Sequence, residues 1–490
     1  MGIGYRFSLP DNSPLPLRDQ ICEVVSEAVA SHSIATGEAL PSCRELSAEL
    51  KVSRNTVFEA YARLIDLAIL ISKDRSGYYV NPDYVAQLPA DTASPECEPA
   101  VIAEARLPEA GARPSDLRKV AHPPDWSSHP YPFIYNQIDP RIFPIQRWRE
   151  CTRLALNVGR LPVWSGDSDG SDSDHLIEQL QKRLLSYRGL RAGKNEILIT
   201  SGSQNALFIL GLLFADQAGA VAMEDPGYPE ARNAFALSGN EVIGVPVDAD
   251  GLDIVAIPER CKVVYVTASH HFPSAVTMPL ERRRKLLEMA HARQMIIIED
   301  DYEAEMNFER DLLPPLRVLD REGSVAYCGS LSKILSPGLR LGFMVAHPEI
   351  IREAKAVRRA MLRHPPTVLQ DTMANFMALG YLDAHLRKLR RRYRMRWTTM
   401  RQAVARHLPD FALGQSHGGT SLWIDGPPEL DTDLLEENLK ERGVLFDNGA
   451  VFFIDPRQGR GKFRLGFASI PLRSIEPGVE IIGEEIARLI

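Results

Sequence analysis

Apolar positions recur at helical spacing over 15–31, where Leu17, Ile21, Val24, Val25, Ala28 and Val29 share one face. After Gly37, the run Leu40-Pro41-Ser42 puts Ser42 three residues before Glu45, the spacing of a capping box, and predicts a short helix over 44–50. Ser53 caps a third helix reaching about residue 67, and two short strands follow over 68–72 and 77–80, with 73–76 as their turn. Three helices and a small hairpin predict a winged helix-turn-helix over residues 14–80. The periodicity then stops. Residues 83–126 are rich in Pro, Ala and Glu and read as a flexible linker, with one short helix around 100–106. Over 127–490, apolar runs at 196–200, 219–223, 263–267, 295–299, 325–328 and 342–345 alternate with helical patterns, which predicts an α/β domain with a mostly parallel sheet. From about 370 a long basic helix opens a smaller C-terminal α+β subdomain.

At 490 residues the chain exceeds the roughly 250–300 at which single cores stop growing, so more than one domain is expected. No apolar stretch is long enough for a membrane span, and no secretory leader pattern opens the chain. The six cysteines are scattered without a C-x-x-C pair, which argues against a zinc site or a disulfide framework and fits a cytoplasmic location. A net charge of −7 does not advertise nucleic-acid binding, so any DNA surface must be local.

Such a surface is predicted at the start of the third helix. In helix-turn-helix geometry that end enters the major groove, and it carries Arg54, Asn55 and Thr56. Arg reaches guanine bidentately and Asn reaches adenine. Arg44 opens the preceding helix, and Gly77 in the wing allows a close backbone approach. Against this, residues 1–82 hold eight Lys/Arg and ten Asp/Glu, so a protein-contact domain is the alternative. The pattern Leu40-Pro41-Ser42, Arg44-Glu45-Leu46, Val52-Ser53-Arg54, Thr56-Val57, Ala60-Tyr61, Leu64 and Ser76-Gly77-Tyr78 resembles the GntR-type winged helix domain, with Ala68 where the family usually has Gly. The resemblance implies that Arg44, Arg54, Asn55, Thr56 and Gly77 contact double-stranded operator DNA.

The strongest chemical signal is Gly329-Ser330-Leu331-Ser332-Lys333, followed by Ser336-Pro337-Gly338-Leu339-Arg340. A lysine kept neutral can form a Schiff base with an aldehyde cofactor, and the hydroxyls with Arg340 suit a phosphate. Glu299-Asp300-Asp301-Tyr302 ends a strand with Asp300 and Tyr302 on one side, a carboxylate for a pyridine nitrogen and a phenol for a ring oxygen. Ser201-Gly202-Ser203-Gln204-Asn205 follows a strand and leads into a helix predicted from Ala206, which leaves free N–H groups for a phosphate. Glu224-Asp225-Pro226-Gly227-Tyr228 ends another strand with a tyrosine able to stack on a ring. His270 and His271 read as core residues before catalysts, and the basic run 387–394 as a solvated helix face before a DNA contact.

These segments resemble pyridoxal-phosphate enzymes of the aminotransferase type, fold type I. Together with the first domain, and with Tyr131-Pro132-Phe133, Trp148-Arg149 and Phe463-Arg464-Leu465-Gly466-Phe467, nearly the whole chain resembles the MocR-type regulators. By that resemblance Lys333 carries pyridoxal 5'-phosphate. Asp300 pairs with the ring nitrogen, Tyr302 with the ring hydroxyl, and Tyr228 stacks on the ring. Ser203, Gln204, Ser330, Ser332 and Arg340 surround the phosphate. Arg464 receives the acid group of an amino-acid-like effector, its alternative being a structural ion-pair partner. The chain departs from the family at Asn205, His271, Ser274 and Ala275, and at Glu230, where some relatives carry a cation for the ligand. These departures leave cofactor binding intact and the ligand open. The resemblance implies a homodimeric transcription regulator; the alternatives are an aminotransferase with an accessory domain and a sensor of the cofactor itself.

Overall fold

Capping and one buried stripe per helix shape the first of two units, Met1–Glu109 and Ala110–Ile490. The computed structural model describes residues 7–10, 13–73, 77–88, 114–167, 170–215, 220–309, 313–414 and 417–490; the helix expected over 100–106 lies outside them. In the first unit, α1 spans Leu17–Ala30, α2 Cys43–Glu49 and α3 Arg54–Asp66. The capping box forms: Glu45 N–H donates to Ser42 Oγ at 3.3 Å, and Ser42 N–H donates to Glu45 Oε2 at 2.8 Å. Ser53 Oγ accepts from Thr56 N–H at 3.0 Å and so starts α3. Ile21, Val25, Leu46, Val57, Ala60, Tyr61 and Leu64 close the core between the three helices. Strands β1 (Leu70–Lys73) and β2 (Gly77–Val80) form the antiparallel wing. A further helix, Pro82–Gln87, stands where the linker was expected to begin, with Asn81 as its N-cap.

The second unit is built on an eight-stranded sheet. Its strands are β4 (Ile197–Thr200), β5 (Ala220–Asp225), β6 (Glu241–Asp248), β7 (Gly251–Leu252), β8 (Val263–Val266), β9 (Ile296–Asp301), β10 (Val325–Ser330) and β11 (Gly342–Val345). In spatial order they run β4-β11-β10-β9-β8-β5-β6-β7. The five strands from β10 to β6 are parallel, while β11 runs antiparallel to both β10 and β4. Strands β4, β8, β10 and β11 are buried along their whole length, which is why they read as unbroken apolar runs. Because β4 and β10 both oppose β11, the loops after β4, β5, β8, β9 and β10 emerge at one edge of the sheet. The carboxyl edge of such a sheet is where α/β folds place ligands.

A second, five-stranded sheet forms a smaller lobe. It contains β12 (Ala412–Leu413), β13 (Ser421–Asp425), β14 (Val444–Asn448) and β15 (Lys462–Gly466), ordered β12-β13-β15-β14-β3. Its outer strand, β3 (Tyr131–Phe133), comes from far earlier in the chain and pairs in parallel with β14. The lobe boundary expected near 370 therefore needs correction. Helix Thr367–Ala378 buries Met373, Phe376 and Met377 in the core of the large lobe, and helix Tyr381–His407 crosses from Leu382 in that core to Trp397, Met400 and Val404 in the small one. The linker expected over 83–126 is likewise shorter among the described residues. Arg118 donates to the carbonyls of Ala450 and Ile454, and its own carbonyl accepts from Asn233 Nδ2, so the chain is already anchored to the second unit there. Among the described residues no helix is long and apolar enough to cross a membrane.

Candidate functional site

Lys333 sits one turn past the end of β10, in a four-residue helix, Ser332–Leu335. Its Nζ donates to Asn136 Oδ1 at 2.9 Å and lies 3.8 Å from the centre of the Tyr135 ring and 5.8 Å from that of Tyr302. Desolvation brings the amine down to about 8, against the pull of the Glu303 carboxylate. A lysine near 8 has a substantial neutral fraction at physiological pH, the form that attacks a carbonyl.

Asp300 and Asp301, neighbours at the end of β9, have separate tasks. Asp300 Oδ2 accepts from Tyr265 OH at 3.0 Å, while its Oδ1 is buried and has no partner. Burial raises this carboxyl to about 7. Asp301 faces the other way, where Arg188 pairs with it and Tyr327 OH donates to it at 2.9 Å; Arg188 also pairs with Glu305 at 2.9 Å. That buried network clamps the strand end that presents Asp300. Tyr302 follows, buried, with its ring 5.9 Å from Phe272.

The turn after β4 runs through Gly202 at φ +82°, and the helix starts at Ser203, three residues earlier than expected, because the left-handed glycine already turns the chain. The N–H groups of its first turn thus open beside Ser203 and Gln204. The Arg340 guanidinium lies 3.4 Å from the position a Cβ on residue 202 would take, so glycine leaves the space the arginine needs. Arg340 itself is exposed and has no acidic partner among the described residues. A glycine turn, a helix N-terminus and an unpaired guanidinium make an anion cradle. Gln204 Nε2 donates to the Glu230 carbonyl at 2.8 Å, and its Oε1 is buried without a partner. Ser330 Oγ accepts from Lys333 N–H at 3.3 Å, which leaves its own proton to give. Ser332 is the exception in this group. Its hydroxyl donates to the Leu341 carbonyl at 3.2 Å and accepts from Leu341 N–H at 3.0 Å, so it ties down the 336–341 loop that carries Arg340.

Tyr228, half-buried, belongs to an aromatic cluster with Tyr135 (6.2 Å) and Phe272 (5.1 Å). Arg464 stands behind this cluster, its Cζ 5.1 Å from the Tyr135 ring and 5.0 Å from that of Phe272. Both residue 464 and Asp447 are buried, and Arg464 Nη1 pairs with Asp447 Oδ2 at 2.8 Å while Nε has no partner. The pair is a direct cross-strand match between β15 and β14. Asp447 also accepts from Tyr135 N–H at 3.2 Å, and His122 Nε2 lies 3.5 Å from it. Arg464 thus has a structural partner and still keeps an open edge.

An orphaned carboxylate oxygen, an amine brought down to about 8, an anion cradle and a phenol are the set of groups that a phosphorylated pyridine aldehyde needs, and the residues fit that group. Tyr135, Asn136, Tyr265 and Asp447 were not singled out in the sequence. Tyr135 and Asn136 directly follow β3 and its Tyr131-Pro132-Phe133 signature, whereas Asp447 is announced only by strand register. His271 is held by Ser274 Oγ (2.6 Å) and the Pro226 carbonyl (3.0 Å), and burial pushes it down to about 3, a neutral structural role.

In the first unit Arg44, Arg54 and Asn55 are exposed, and neither arginine has an acidic partner among the described residues. Asn55 Nδ2 donates to Glu59 Oε1 at 2.8 Å, and Thr56 Oγ1 shares a hydrogen bond with Ser53 Oγ at 2.7 Å. Gly77 has φ +112° with open space around it. The wing-turn residues 74–76 lie outside the described residues.

Two family models match the chain: bacterial regulatory proteins of the gntR family over residues 17–80, and aminotransferase class I and II over 168–482. The HTH-type transcriptional regulator TauR of Rhodobacter capsulatus is 37% identical over 96% of this chain and 96% of its own length. The probable rhizopine catabolism regulatory protein MocR of Rhizobium meliloti is 28% identical over 96% of this chain and 94% of its own. Among solved structures, the α-aminoadipate aminotransferase LysN of Thermus thermophilus, complexed with N-(5'-phosphopyridoxyl)-L-leucine, superposes with a TM-score of 0.68 at 29% identity, covering 78% of this chain and 98% of that one.

Proposed function

The chain belongs to the MocR-type family of HTH transcriptional regulators, in which a gntR-family domain precedes an aminotransferase class I and II domain, and from that premise we propose that its second unit binds pyridoxal 5'-phosphate at Lys333 and senses an amino-acid-like effector there. The observation that carries this reading is Asp300 Oδ1, a buried carboxylate oxygen with no partner among the described residues. A buried acceptor left open is costly, and a ring N–H supplies what it lacks. When bound, the cofactor supplies an aldehyde carbon for amines and a cationic ring that withdraws electrons. Lys333, neutral in part, would hold the cofactor at its aldehyde carbon, and Tyr302 would give its hydroxyl to the ring oxygen. Ser203, Gln204, Ser330 and Arg340 hold the phosphate, and Ser332 fixes the loop behind Arg340. Arg464 offers its open edge to the acid group of the effector.

Sensing is favoured over turnover because the chain carries a DNA-reading unit that transamination does not use. An effector exerts regulatory force only if it prefers one arrangement of the lobes over another. The first unit contacts duplex operator DNA through Arg44, Arg54, Asn55, Thr56 and the Gly77 wing, and a cytoplasmic homodimer presents two such units to paired half-sites. The test is spectroscopic. Native protein loaded with pyridoxal 5'-phosphate absorbs in the visible and Lys333→Ala does not; an unchanged spectrum refutes the assignment. Amines that alter the spectrum and the affinity for promoter DNA without steady release of keto acid support sensing. Sustained multiple turnovers identify an aminotransferase, and a DNA affinity set by the cofactor alone identifies a cofactor sensor.

A further inference from the structure

Glu230 is the second residue of helix Pro229–Leu237, directly after Tyr228. Its carbonyl is held by Gln204 Nε2 at 2.8 Å, so the turn that carries it is fixed against the phosphate end of the site. The side chain is half-buried, but its Oε2 atom is withdrawn from solvent and has no hydrogen-bond partner among the described residues. No lysine or arginine among the described residues forms an ion pair with it. The nearest guanidinium in sequence, Arg232, turns away to donate to the carbonyls of Val451 and Phe453 at 3.0 and 3.1 Å.

An acid in the first turn of a helix is favoured by the helix dipole, but an exposed carboxylate serves that purpose without losing water. The dipole explains the residue type, and the backbone N–H groups of Glu230 and Val120 favour the ionised carboxyl, yet Oε2 is left without a donor among the described residues. What surrounds Glu230 explains this better. Its charge acts on Lys333, on Tyr135, whose ring centre lies 3.8 Å from the Lys333 amine, and on Tyr228, 6.2 Å from Tyr135. Arg464 lies behind the same Tyr135 ring. A molecule attached at Lys333 therefore meets an arginine with an open edge and, separately, a carboxylate oxygen with an open acceptor. A buried acceptor of this kind wants a donor, and a charged donor satisfies it best.

We propose that the effector carries a second cationic group besides its reacting amine, and that Glu230 binds it: a diamino acid, or an amino acid ending in an ammonium or guanidinium. The proposal rests on the sensing function given above and names the class of molecule sensed. Selectivity then has two poles, Arg464 for the acid group and Glu230 for the added cation. Neutral isosteres of the same length leave Glu230 unpaired and bind less well.

The experiment uses the full-length, cofactor-loaded protein. It is titrated with matched pairs, 2,4-diaminobutyrate against norvaline, ornithine against norleucine, and lysine against 2-aminoheptanoate. Two readouts are followed, the visible absorbance of the bound cofactor and the affinity for promoter DNA. In the best pair the basic member is expected to reach half-saturation at a concentration about 10-fold lower than its neutral partner, as for a charge-assisted hydrogen bond. Glu230→Gln is expected to bring the two within about twofold, while Glu230→Asp keeps the basic member ahead. Cofactor content measured on each variant confirms that the site is still assembled. Neutral members binding as tightly as basic ones in the native protein, or a preference that survives Glu230→Gln, overturns the proposal while the sensing function stands. Silence towards every amine overturns both.

Discussion

Replacing Asp300 by Asn should make the cofactor-free protein more stable at neutral pH, although it removes a residue of the proposed binding site. Asn keeps an oxygen for Tyr265 OH and cannot ionise. The native carboxyl is raised from 3.8 to about 7, first by burial, with Asp301 adding to it and the Tyr265 hydrogen bond opposing it. Between pH about 4 and about 7 the folded chain holds a proton that the unfolded chain has released, so stability falls as pH rises through that window. Above about 7 the loss is complete, and at 1.36 kcal/mol per unit it reaches about 4 kcal/mol as an upper figure. Glu299, raised to about 7, and Glu224, raised to about 8, tilt the native curve the same way, so the difference between native and variant is the quantity to read. Urea unfolding of both cofactor-free proteins at a series of pH values measures it. The variant should lead at pH 8, and the gap should shrink towards zero below pH 4. With cofactor present the order reverses, because an amide oxygen can accept from a ring N–H but lacks the charge that holds the ring nitrogen protonated. Parallel stability curves for the cofactor-free proteins would show that Asp300 bears no unpaired charge, and the argument for its partner would fail with them.

The remaining expectations concern the other poles of the site and the DNA face. Capture of pyridoxal 5'-phosphate by the cofactor-free protein should quicken as pH rises through about 8, where Lys333 loses its proton; a flat rate profile from pH 6 to 9 would show that the amine is already neutral. Arg464→Lys keeps a cation beside Asp447 but cannot grip two carboxylates, so half-saturation by an acidic amine should rise about 10-fold while an amine lacking an acid group is unaffected. Equal shifts for both ligands would return Arg464 to a purely structural role. Arg54→Ala should weaken specific DNA binding by about 1–3 kcal/mol, measured at fixed salt, and unchanged affinity would remove it from the interface.

The parts of the fold that could be read from sequence are those whose cause is local. Ser42 and Glu45 cap a helix because of their spacing alone, and β8 and β10 are legible because strands buried on both faces admit few polar residues. Lys333, Ser203 and Tyr228 announce themselves because each comes three residues after a strand, and Asp300 because it stands at the end of one; the parallel sheet gathers strand ends at one edge. What depends on pairing between distant segments was hidden. Nothing near Asp447 indicates that register sets it opposite Arg464, and nothing near Tyr131 indicates that it closes a sheet made mostly of residues beyond 410. Ser332 was misplaced for a related reason. Its spacing suits a phosphate, but the backbone of Leu341 returns close enough to claim both of its hydrogen bonds.

The way the second unit begins has a mechanical consequence. Residues 118–135 are stitched into the small lobe by Arg118 at the 450–454 loop, by His122 beside Asp447 and by β3 along β14. The second unit thus opens on a segment fastened both to the lobe that carries Arg464 and, through Asn233 on the Arg118 carbonyl, to the lobe that carries Lys333. Any tilt of one lobe against the other therefore strains this segment directly, without crossing the eight central strands.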